Sequence, residues 1–161
     1  MQPYGGKGAF SSAFGGKSSA QGKRSFACGT TTIAKGANSF ASGDNSVTLG
    51  NDSHAEGYKT TALATGSHAE GVETVAGSKD ANNNILGDYS HAEGIRTKAL
   101  KDGAHAEGCD TEAGEHAHAE GTGTHATGAG SHAEGLNTFA IGHYSHAEGN
   151  GCYAYGPYSH A

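Results

Sequence analysis

The chain has 161 residues, 28 of them glycine, and Leu, Ile, Val and Phe supply only about a tenth of it, which excludes an ordinary globular core. A net charge of −6 with two prolines is too mild for a self-repelling or proline-rich disordered tail, and ten Lys and Arg without a cluster exclude a grip on phosphate backbones, so no nucleic acid is expected as a partner. No apolar run of about 18 residues is present to span a bilayer, and the opening MQPYGGKGAF lacks the apolar stretch of a secretory signal.

In chain order the sequence is a seven-residue repeat, x-x-[ST]-x-A-x-G. Units end at Gly15, Gly22, Gly29, Gly36, Gly43, Gly50 and Gly57, then at Ala64, Gly71 and Ser78. Nine residues, Lys79 to Gly87, then interrupt it and are expected to form a loop. The pattern resumes with Ser90-His91-Ala92-Glu93-Gly94 and continues through Lys101, Gly108 and Glu115. It loses one residue before Gly121 and runs on through Gly128, Gly135, Gly142, Gly149 and Gly156. The final unit stops two residues short at Ala161, so the sequence reads as part of a longer fibre or as a rod with an open end, and open strand edges favour end-to-end stacking into a filament.

A second period of fourteen is superimposed. SHAEG begins at Ser53, Ser67, Ser90, Ser131 and Ser145, with close copies from Ala104 and Ala117, and looser units such as Thr60-Thr61-Ala62-Leu63-Ala64 lie between. Two walls therefore alternate, and one coil holds two short strands and two tight turns, for which the strand-end glycine supplies backbone freedom. A helical heptad reading fails, because glycine in alternate turns would cost about 1 kcal/mol each. In a strand, Ser, Ala and Gly share one face and His and Glu the other. The small face must point inward, so the walls are expected to lie closer than the roughly 10 Å of ordinary packed sheets, with some eleven coils making a rod about 50 Å long. The recurring threonines, Thr60, Thr74, Thr97, Thr111, Thr124 and Thr138, fall on that inward phase and so cannot present a flat array to ice.

The SxAxG cores, present over almost the whole chain, resemble the head repeats of trimeric autotransporter adhesins, the YadA-like family also found in phage tail fibres. The resemblance implies an all-β, left-handed parallel β-roll, a solenoid of about 14 residues per coil, forming one repeat domain over residues 1–161 and assembling side by side as a homotrimer. In that family outward Val and Ile of one wall form the shared axis. Ser46-Val47-Thr48-Leu49-Gly50 and Thr138-Phe139-Ala140-Ile141-Gly142 come nearest to that form, whereas the most regular wall here carries His and Glu instead.

A position facing its own symmetry copies tolerates fewer residue types than one facing water. The trimer interface is therefore expected along His54, Glu56, His68, Glu70, His91, Glu93, His105, Glu107, His118, Glu120, His132, Glu134, His146 and Glu148, satisfied by hydrogen bonds between chains. These residues are also a column of metal-ligand types, yet a structural ladder needs no ion and accounts for every copy equally, so no metal or cofactor is expected. Cys28, Cys109 and Cys152 have no CxxC spacing and read as small substitutes within the repeat.

No unit combines a unique nucleophile, base and orienting group, so the chain reads as non-enzymatic. The leading reading is an adhesin head or a phage receptor-binding rod, located outside the cell, on its surface or on a virion. The alternative is a structural spacer or self-assembling filament. Contact with a host receptor or extracellular matrix would fall on the main departure from the repeat, at Lys79, Asp80, Asn82, Asn83 and Asn84.

Overall fold

Strands that place only Ser, Thr and Ala on one face can close on one another only if two walls approach each other closely. The computed structural model, which describes residues 5–161, does this with two parallel sheets of eleven and ten strands. Residues 1–4 of the expected repeat domain lie outside the described residues. Successive strands along the chain alternate between the sheets, so each coil visits one wall and then the other. The described residues contain no helix, and none therefore that could cross a membrane. The result is a β-solenoid.

The walls are unequal, a feature the seven-residue repeat does not announce. Full strands of one wall have five residues, from Phe26–Thr30 through His146–Asn150, while those of the other have two, from Ser19–Ala20 through Tyr153–Ala154. Register is fixed residue on residue. His54 pairs with His68, Ala55 with Ala69 and Glu56 with Glu70 one coil of fourteen later. The shortened coil pairs His105 with His118, and its missing residue is absorbed in the turn, where the Ala117 amide still donates to the Gly114 carbonyl.

Every buried apolar residue among the described residues is alanine, and Ala55, Ala69, Ala92, Ala106 and Ala119 of one wall meet Ala62, Ala76, Ala99 and Ala113 of the other with no exposed surface. Between them sit buried Ser and Thr. In the long-strand wall Ser53, Ser67, Ser131 and Ser145 donate their hydroxyls at 2.6–2.7 Å to the carbonyl three residues earlier, and at Ser67, Ser131 and Ser145 the backbone amide donates to the same carbonyl. Ala104 and Ala117 keep only the backbone closure, which is why serine there is replaceable. The threonine column of the other wall is inward as expected, at no more than 1% exposure.

The glycines do not share one role, and not all of them supply the backbone freedom expected for the turns. On the long-strand wall Gly57 and its equivalents do hold a positive φ, 123° at Gly57. On the other wall Gly36 has an ordinary φ, and a Cβ there would overlap the carbonyl oxygen of Gly50 in the next coil. The tight bends are made by residues farther on, such as Asn38 (φ 55°) and Asn45 (φ 58°), one left-handed residue at each corner. Their side chains pay part of the strain back by laddering between coils, with Asn38 Nδ2 donating to Asp52 Oδ1 at 2.8 Å.

The nine-residue interruption folds as an antiparallel hairpin of Ser78–Lys79 and Ile85–Leu86. Asp80 closes its tip, accepting from the Asn82 and Asn84 amides at 2.9 and 2.8 Å and from Asn84 Nδ2 at 2.9 Å, and the Asn84 side chain holds its carboxyl below the usual range. Ser78 ties the base to the solenoid by donating to the Leu100 carbonyl.

Candidate functional site: the histidine and glutamate ladder

Because the long strands pair in register, each outward side chain sits directly over its copy in the next coil. The fourteen His and Glu residues expected to act together are brought into one column along the long-strand wall. Imidazole centroids lie 4.6–4.9 Å apart from His54 to His160, and between His105 and His146 the rings are within 3° of parallel. Phe26 and Phe40 occupy the same column below His54, so the stack of rings continues into an apolar end.

From His54 to His146 each histidine turns Nε2 towards the glutamate two residues ahead on its own strand, and His160 faces Glu148 of the preceding coil. The separations are 3.3 Å at His54–Glu56 and His68–Glu70, 3.9 Å at His91–Glu93, 3.6 Å at His105–Glu107 and His118–Glu120, and 3.8 and 4.0 Å at His132–Glu134 and His146–Glu148. Only His54–Glu56 is a hydrogen bond; the His68–Glu70 contact lacks the geometry of one, and the others are too long. The side chains are about a third exposed, yet Nε2 of His68, His91, His105, His118, His132 and His146 is screened from solvent without a hydrogen-bond partner. Burial, reinforced by neighbouring imidazoles, pushes the pKa of His68, His91 and His118 below the ordinary histidine value.

A stripe beside this ladder escapes a reading centred on SxAxG. The residue after each glycine stacks into its own column, in which Tyr58, Val72, Ile95 and Leu136 are all about two-fifths exposed. Its signal is present in the sequence as the apolar residue following SHAEG in four copies. The opposite wall is chemically uneven, running from Ile33 and Val47 through Lys98 and Glu112 to a stacked His125, Phe139 and Tyr153. Lys79, Asp80, Asn82, Asn83 and Asn84 stand apart from the ladder, on the exposed hairpin that leaves the chain between Ala76 and Gly87.

The YadA head domain repeat matches this chain at residues 7–32, 22–46, 29–53, 41–63, 119–145 and 133–151, together more than half of its length. No curated protein matches it.

Proposed function

Since this chain belongs to the YadA head domain repeat family, we propose that it is the trimeric head of a surface adhesin or the receptor-binding rod of a phage fibre, displayed outside the cell or on the virion and without catalysis. The supporting observation is the outward face of the long-strand wall, where a uniform His/Glu ladder with desolvated nitrogens runs beside the apolar stripe of Tyr58, Val72, Ile95 and Leu136. An alanine core buries little apolar area per coil, so a lone rod gains from covering that stripe. Three identical faces around a common axis do so with closed symmetry, and give histidines and glutamates partners from neighbouring chains.

Receptor contact is assigned to the hairpin tip, because identical coils offer the same surface repeatedly whereas Lys79, Asp80, Asn82, Asn83 and Asn84 occur once. Removing Lys79 to Gly87 restores a fourteen-residue coil. The variant is expected to keep the mass and circular dichroism of the parent and to lose at least about tenfold in binding to bacterial or epithelial cells that retain the parent. Undiminished binding would move the contact to the walls.

A further inference from the structure

We propose that the ladder is a binding site for divalent transition-metal ions, zinc above all, holding two ions per chain: one at His105, Glu107 and His118, the other at His132, Glu134 and His146. The inference does not rest on the trimer, since each set comes from a single chain. In both sets one nitrogen or oxygen from every residue lies within 4.8 Å of the others.

The separation of donors favours an ion. Two ligands bonded to one zinc at about 2.0–2.2 Å lie roughly 3.3–3.6 Å apart in tetrahedral geometry. Nε2 of His105 is 3.6 Å from Glu107, His132 is 3.8 Å from Glu134, and His146 is 4.0 Å from the other oxygen of Glu134. These gaps are too wide for hydrogen bonds and a few tenths of an ångström from joint coordination. Within one chain, and with the rings neutral, either tautomer leaves the arrangement unsatisfied without a cation. A protonated Nε2 donates to nothing, and an unprotonated one aims its lone pair at a carboxylate oxygen that is also an acceptor.

Imidazole and carboxylate are the donors that zinc shares with nickel and copper, and side chains that are about a third exposed leave a coordination position for water. The two histidines of each set must tilt out of their parallel stack to converge, for which their partial exposure leaves room. The set His118, Glu120 and His132 shares a ligand with each assigned site, the set His146, Glu148 and His160 shares His146 with the second, and neither is filled alongside them. Coils bearing Phe26 and Phe40 in this column have no donor there, which confines the ions to the histidine part of the rod.

The test is titration of the chelator-stripped full chain with zinc chloride at pH 7.5 by calorimetry, with bound zinc counted by mass spectrometry. The expected result is about two zinc ions per chain at micromolar affinity or tighter. The double substitution His118→Asn and His146→Asn touches every such set on the ladder and is expected to weaken binding at least about a hundredfold. His125→Asn with His143→Asn, outside the ladder, is expected to leave it unchanged. One ion or none per chain, or equal losses in both double variants, would overturn the proposal. Should the ladder variant not fold, cobalt(II) added to the parent decides: an intense visible band supports a four-coordinate nitrogen and oxygen site, and the pale spectrum of the hydrated ion overturns it.

Discussion

Ala113→Leu is expected to destabilise the solenoid by about 3 kcal/mol or more, whereas Glu112→Leu, the same new side chain one residue earlier, is expected to change stability by less than about 0.5 kcal/mol. Ala113 has no exposed surface and stacks between Ala99 and Ala126 in a core whose only buried apolar residues are alanines. Overpacking elsewhere is relieved by side-chain rearrangement, typically at about 1–3 kcal/mol. Here no long side chain is available to move, and pushing this strand out of its wall would break its bonds to the neighbouring coils, such as that from the Gly114 amide to the Ala126 carbonyl at 2.8 Å. Glu112 points outward on the same two-residue strand, so leucine there meets no wall. Urea midpoints of the two variants check the contrast, and equal effects would refute the inward and outward assignment.

Acid is expected to lower the thermal midpoint by roughly 5 °C or more between pH 7.5 and pH 5. The folded values of His68, His91 and His118 lie below the ordinary 6.5. Above about pH 7.5 both folded and unfolded chains hold these rings neutral and nothing is lost. As pH falls through 6.5 the unfolded chain takes up protons that the folded chain refuses, and stability drops from there down to the lowered folded values. For His68 the causes are burial, then the charges that His54 and His91 would carry, opposed by Glu70 and Glu93. His91 is burdened by burial and His105 against Glu93, Glu70 and Glu107, and His118 by burial, His105 and His132 against Glu120 and Glu107. Phenylalanine already fills this column at Phe26 and Phe40. The triple substitution of His68, His91 and His118 by phenylalanine should therefore abolish most of the fall, and a parent midpoint that does not move between these pH values would contradict the titration account.

The coil length, the two walls and the inward Ser, Thr and Ala were legible in the residues, because a strand alternates strictly and small side chains admit one arrangement. Legibility failed where the cause lies between coils. Gly36 looks like a turn residue in isolation, and only the carbonyl of Gly50 above it shows that the limit is space. Asn38 and Lys59 take left-handed corners that their neighbours in sequence do not demand, because coil-to-coil stacking requires a bend there. The His and Glu positions were visible as a repeat, but the mismatch between Nε2 and carboxylate depends on how two outward side chains on one strand splay, which spacing alone does not reveal. The stripe through Ile95 and Leu136 was hidden because it lies just outside the five residues that define the repeat.

The central claim is that the His/Glu face and its apolar stripe meet their own copies around a threefold axis. The mass of the native protein by light scattering, at pH 7.5 and low micromolar concentration, tests it most directly. The account predicts a particle of three chains of 16.1 kDa that persists on dilution. A single-chain mass of 16.1 kDa under the same conditions would contradict it.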